Sequence, residues 1–319
     1  MFNKINEMYR KTVYSRADDR GSIFYFSSDD FEGLNKEEYN FKSSRGHNLK
    51  GYFYYYEGYK KGRVIIFDHG MGSGHRGYMK EIEKLASHGY LVLSYDHSGC
   101  MESEGESTFG FPQSLMDLDD CIKSLKANPE YQKLEISVVG HSWGAFSCMN
   151  IASFHEVKHI VAMSGFISVK QIISQVFSGL LLPFRKKIYN MTVEEAKEYA
   201  TVNALDSLKK TKAQVLIIHS KDDKTVKYSK TFAYLKKNLE GYLNIKFYSV
   251  EGKNHNPNYT VDALEYKDNF FKDYKKAIKN NLLETEEQKE NFKKKYDWDR
   301  MTDQDETVWK EIFKYLEME

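Results

Sequence analysis

Three groups with the chemistry of acyl transfer follow one another along the chain. They are a serine between glycines in "VVGHSWGAF" (138–146), paired aspartates in "KDDKTV" (221–226) and a histidine in "EGKNHNPN" (251–258). A serine hydroxyl is a poor nucleophile near neutral pH, so Ser142 needs a histidine base within hydrogen-bond reach. That histidine needs a carboxylate to fix its tautomer and stabilise the imidazolium. A G-x-S-x-G match alone decides little. It gains meaning from a buried strand before it, a helix after it, and an acid and a histidine in later loops.

The surrounding elements supply that context. "EISVVG" (135–140) reads as a buried strand and "WGAFSCMNIASF" (143–154) as a helix. Gly140 and Gly144 would let the chain turn sharply and the helix approach the strand. "RVIIFDHG" (63–70), "GYLVLSYD" (89–96), "HIVAMSG" (159–165), "AQVLIIHS" (213–220) and "NIKFYSV" (244–250) repeat the strand pattern. Helical stretches at 77–88 and 113–127 fall between strands. Alternation of this kind implies an α/β fold with a mostly parallel sheet and helices on both faces. "EYNFKSS" and "LKGYFYYY" flank "RGHN" and read as two strands joined by a tight turn.

Residues 166–210 break the rhythm with two helix-like runs, "ISVKQIISQVFSGLLLPF" and "TVEEAKEYATVNALDSL". A helical insert there is expected to cap the C-terminal edge of the sheet, where α/β folds place their sites. The expected organisation is an N-terminal extension over 1–37, a main domain over 38–279 and a C-terminal extension over 280–319. The last contains "TDQDETVWKEIFKYLE", a capped amphipathic helix with Val308, Trp309, Ile312 and Leu316 on one face. That face either packs on its own domain or makes a homodimer.

Composition narrows the classes. The 319 residues are 41% hydrophobic and 29% charged with a net charge of +1, so nothing global favours nucleic acid or an anionic membrane. Cys100, Cys121 and Cys148 are odd in number and widely spaced, which suggests neither a zinc site nor a disulfide framework. The N-terminal "MFNKINEMYRKTVYSR" lacks a signal-peptide core, and no apolar run approaches membrane-spanning length. A cytoplasmic protein is the expectation.

From about residue 38 to 275 the sequence resembles the α/β-hydrolase superfamily, most of all its serine-aminopeptidase-like and acyl-esterase-like branch. The resemblance implies a nucleophile elbow at Ser142 and the order serine, acid, histidine. Its acid loop carries the acid three residues before a valine, which selects Asp223 against Val226; the neighbouring Asp222 stays open as the alternative. Its last loop supplies His255. His141 is expected to point away from the elbow's tip, and His69 and His219 to orient loops from strand ends; His75 and His97 are also set aside as bases.

One oxyanion donor should be the backbone N–H of Trp143, the residue after the nucleophile. The resemblance puts the other on Met71, in "DHGMGSG" (68–74). "YDHSGCMESEG" (95–105) departs from the family, with His97 and Ser98 where an arginine turn is usual. Glu102, Glu104 and Glu106 read as a solvated loop, with an α-ammonium site as the rival.

The implied chemistry is two-step hydrolysis through an acyl-enzyme, with no metal or organic cofactor. A small-molecule ester with a small to medium acyl group is the expected substrate, its pocket lined by Ile172, Ile173, Val176, Phe177 and Leu180 to Leu182. A peptidase or amidase, a thioesterase and a non-catalytic binding protein are the alternatives.

Overall fold

The structure, a computed structural model, describes residues 2–18, 23–177 and 179–318, apart from the side chain of Leu180. Ten strands are present among these residues: β1 (Asn35–Glu38), β2 (Phe41–Lys42), β3 (Asn48–Leu49), β4 (Gly51–Tyr55), β5 (Arg63–Asp68), β6 (Leu91–Tyr95), β7 (Glu135–His141), β8 (His159–Met163), β9 (Gln214–Ser220) and β10 (Ile245–Val250). Eight form one sheet in the order β1-β4-β6-β5-β7-β8-β9-β10, and β2 and β3 pair as a short ribbon. The six strands from β6 to β10 are parallel, while β1 and β4 are antiparallel to their neighbours. The expected N-terminal hairpin is therefore an interrupted one.

Period-two alternation within the apolar runs builds two cores at once. Val64, Ile66, Val138, Ile160 and Ile217 face one layer, and Ile65, Phe67, Val139, Val161 and Ile218 the other. The first layer takes α1 (Phe2–Val13), α3 (Gln113–Ala127) and α4 (Trp143–Asn150) through Tyr9, Leu118 and Phe146. The second takes α2 (Met79–Ser87) through Ile82 and Leu85.

The insert after β8 holds α5 (Val169–Val176), α6 (Arg185–Ala196), α7 (Glu198–Thr201) and α8 (Ala204–Lys210). The two continuous runs read from periodicity are broken into these short helices. Gly179 at φ 59° and Pro183 interrupt the first. Lys197, at φ 51°, and Asn203, whose side chain caps α8, divide the second. α1 closes on this insert: Phe2 stacks on Phe184, Tyr9 meets Phe177 edge-on, and Arg10 pairs with Glu195.

α9 (Phe232–Asn238) follows β9, and beyond β10 come α10 (Val261–Lys279), α11 (Glu286–Lys293), α12 (Trp298–Met301) and α13 (Glu306–Leu316). Phe270, Ala277, Phe292 and Met301 make a separate small core. α13 is capped by Asp305 and buries Val308, Trp309, Ile312 and Leu316 against the second face of the sheet. Full burial of such side chains stabilises by about 1.5–3 kcal/mol each, so this face is spent within its own chain. No helix among the described residues is long and apolar enough to cross a membrane.

Candidate active site

β7 ends at His141, and the chain reverses at Ser142 to enter α4. Ser142 holds φ 55° and ψ −108°, a conformation that costs about 1–3 kcal/mol and persists only where its surroundings enforce it. Its N–H donates to the Met163 carbonyl at 2.8 Å, and its carbonyl accepts from Phe146 N–H at 3.1 Å. Both flanking glycines are sterically required. A Cβ on Gly144 would stand 1.9 Å from the Asp68 carbonyl oxygen, and one on Gly140 2.6 Å from Gly144 C.

The loops after β9 and β10 converge on this turn. His255 Nε2 lies 2.8 Å from Ser142 Oγ, and His255 Nδ1 lies 2.8 Å from Asp223 Oδ2. An ionised carboxylate only accepts, so Nδ1 carries the proton and Nε2 is free to accept the serine's. The other oxygen of Asp223 accepts N–H bonds from Thr225 (2.8 Å) and Val226 (2.9 Å), which gives the aspartate-to-valine spacing its physical reason. His219 Nε2 lies 3.1 Å from Asp223 Oδ2 and donates to the Val226 carbonyl at 2.8 Å. Burial alone would raise the Asp223 carboxyl; the bonds from His219, His255 and Val226 outweigh it and hold the group well below the usual range.

Asp222 occupies a different place. Its carboxylate accepts from Ser220 Oγ (2.5 Å) and from the N–H groups of Gly252 (2.9 Å) and Asn254 (3.1 Å). It ties the acid loop to the histidine loop without touching His255.

His141 is closer to the site than its position on the strand suggested. Its ring lies 4.9 Å from the His255 ring; Nε2 donates to the His255 carbonyl at 2.7 Å, and Nδ1 accepts from Tyr78 Oη at 2.9 Å. Burial, with His255 nearby, lowers its pKa to about 3, so it stays neutral and both nitrogens are committed. It is a brace beneath the histidine loop.

Trp143 opens α4, and as the first helical residue its N–H has no intrahelical acceptor. Its indole is anchored by a 2.7 Å bond to the Phe111 carbonyl. Met71 is exposed in the turn after β5. The turn is held close: a Cβ on Gly70 would fall 2.3 Å from Tyr78 Oη.

Beneath the elbow is a second carboxylate–histidine group, absent from the sequence reading. His97 Nε2 stands 2.6 Å from Asp68 Oδ1 and Nδ1 3.3 Å from Asp117 Oδ2, all three side chains fully buried. Burial alone would lower the His97 pKa, but the two carboxylates outweigh it and push it up to about 10. His97 N–H donates to His69 Nε2 at 3.1 Å, and His69 Nδ1 donates to the Gly70 carbonyl at 2.7 Å. Similarly, His75 Nδ1 and N–H both reach Asp96 Oδ1 at 2.8 Å. The only sequence signals were a polar residue at the end of an apolar strand (Asp68) and an aspartate on the buried face of an amphipathic helix (Asp117).

The glutamate loop is exposed but partly engaged. Glu102 accepts from Tyr52 Oη (2.5 Å) and Glu104 from the Asn48 N–H (2.6 Å). The apolar cap residues divide: Ile172, Ile173 and Phe177 are buried in the core, Leu181 is half-buried, and Val176 and Leu182 face solvent. Leu180 lies outside the described side chains.

The profile of the serine aminopeptidase, S33 family matches residues 59–202. An uncharacterized Bacillus subtilis protein, YqkD, is 26% identical over 268 residues, 80% of this chain and 83% of that protein. Among solved structures, an esterase of Pyrococcus furiosus superposes with a TM-score of 0.57 at 21% identity, covering 75% of this chain and 90% of the esterase. The Pyrococcus horikoshii acylaminoacyl peptidase gives a TM-score of 0.52 at 21% identity, over 72% of this chain and 38% of the peptidase.

Proposed function

We propose that this chain, which shares the α/β-hydrolase fold of its structural neighbours and matches the serine aminopeptidase profile over residues 59–202, is a serine hydrolase acting on carboxylic esters of small to medium acyl groups. The hydrogen-bonded series from Asp223 through His255 to Ser142 carries this reading. Ser142 Oγ attacks the ester carbonyl carbon while its proton passes to His255 Nε2. The Trp143 and Met71 N–H groups stabilise the oxyanion. The intermediate collapses as the C–O bond to the alcohol breaks, and His255 returns its proton to the departing oxygen. Water then gives a proton to His255 and adds to the acyl-enzyme. Breakdown releases the carboxylic acid and restores the serine. Asp223 holds the tautomer and balances the imidazolium charge.

The peptidase reading draws support from the serine aminopeptidase profile. Against it, Glu102 and Glu104 are engaged by Tyr52 and Asn48, which leaves them poor partners for a substrate α-ammonium. The test is initial rate on p-nitrophenyl esters from C2 to C12 beside aminoacyl p-nitroanilides, wild type against Ser142→Ala. Ester turnover that is lost in the variant and has a chain-length optimum is the expected result. Preferential anilide cleavage would transfer the assignment to a peptidase.

A further inference from the structure

A cleft of about 330 Å³ opens next to the loops that carry Met71 and His255. Gly72 and Ser73, which follow Met71, form one edge, and Asn256, which follows His255, forms another; no residue of 166–210 lines it. Its walls are aromatic. Phe24 stacks on Trp298 at 4.8 Å between ring centroids, and Phe270 meets Trp298 edge-on at 5.2 Å.

Two cations stand among these rings. Lys267 Nζ lies 4.9 Å from the Tyr259 centroid and the Arg76 guanidinium 5.6 Å from that of Tyr25. Among the described residues neither forms an ion pair with a carboxylate, whereas Lys80, on the same wall, is paired with Asp299. Glu81 also lines the cleft, buried and bonded to Asn258; burial pushes its carboxyl up and the Lys267 ammonium down, each offset in part by the other's charge. The cleft is therefore apolar and flat-walled, with Arg76 and Lys267 as its basic groups outside an ion pair.

Resting on the hydrolase reading above, we propose that this cleft is the leaving-group subsite and takes an aromatic alcohol that carries a carboxylate. The side follows from the proton's path. His255 must protonate the departing oxygen, so the alcohol lies against the histidine loop, whose continuation through Asn256 and Tyr259 lines the cleft. The acyl part then points toward the cap. Stacking on aromatic walls selects a flat ring, and Lys267 and Arg76 select negative charge.

The test compares 4-carboxybenzyl, benzyl and 4-(ammoniomethyl)benzyl acetates, which share an acyl group and have alcohols of similar acidity. The carboxybenzyl ester should exceed the benzyl ester in kcat/KM by about tenfold, mostly through KM, as one charge-assisted contact allows. The ammonium ester should be the poorest. In Lys267→Met the carboxylate advantage should shrink, in the Arg76→Met/Lys267→Met pair it should vanish, and Lys267→Arg should keep it. Fluorophosphonate labelling of Ser142 checks that each variant is folded. Equal kcat/KM for the three esters, or an advantage that survives in the double variant, overturns the subsite and leaves the hydrolase reading standing. No turnover of any ester together with no labelling of Ser142 overturns both.

Discussion

His255 and His97 are each held by aspartate in the same molecule, and they are suited to opposite tasks. His255 has one carboxylate at Nδ1, a serine hydroxyl at Nε2 and a side chain still 17% exposed. His97 has a carboxylate at each nitrogen and no exposure. A histidine with one carboxylate and one free acceptor can take and return a proton. A histidine between two buried carboxylates is a fixed cation, because losing its proton would strand their charge. Residue type does not separate them; the number of carboxylates and access to the reacting atoms do.

Replacing the groups on the open side should have the largest effects. Ser142→Ala should lower kcat by about 10⁴-fold or more without loss of stability, read from ester hydrolysis and thermal melting. Asp223→Asn should lower kcat by about 10³–10⁴-fold, because an amide no longer fixes the proton on Nδ1 of His255. Asp222→Asn keeps an acceptor for one of the two loop amides and should cost less than about tenfold. Equal losses for the two aspartate variants would erase the distinction between the carboxylate that meets His255 and the one that ties the loops.

Effects on the closed side should appear in stability. His97→Gln leaves Asp68 and Asp117 buried without a counter-charge and should destabilise by about 3–5 kcal/mol, measured by urea unfolding. A variant as stable as wild type would mean that the imidazolium contributes nothing between its two carboxylates.

The same contrast governs what the sequence disclosed. The parallel strands are apolar runs that bury both faces, and each was readable alone. Ser142 was readable because a sharp turn between strand and helix demands glycine at fixed offsets, as Gly140 and Gly144 demonstrate. Asp223 differs from Asp222 in bonding the Val226 amide, a contact three residues away that leaves a trace in spacing. By contrast, Asp68, His97 and Asp117 meet from three separate elements, and no local pattern records such a meeting. The aromatic cleft is harder still, since its walls come from residues 23–26, residues 72–81, α10 and α12. The cap helices were misjudged in length because periodicity continues across Gly179 and Lys197, where the backbone does not.

The last effect is a slope. The His97 pKa is about 10 in the folded chain and near 6.5 in an unfolded one. Between those values the folded state holds a proton that the unfolded state has released. Its contribution is thus complete below about pH 6.5 and declines as pH rises toward 10, by up to about 1.4 kcal/mol per pH unit. Burial raises the Asp68 pKa, which acts in the same direction. His69 and His141 work the other way: burial holds both near a pKa of about 3. The unfolded chain therefore gains protons on them first as pH falls below about 6.5, and stability declines on the acid side. Urea unfolding across pH 5 to 9 should give a maximum near neutrality in wild type. In His97→Gln the alkaline limb should become shallower while the acid limb persists, because the neutral histidines are untouched; what remains on the alkaline side belongs to Asp68, which loses the imidazolium that lowered it. An alkaline limb as steep as that of wild type would mean that His97 is not its main source and would break the contrast between the two histidines.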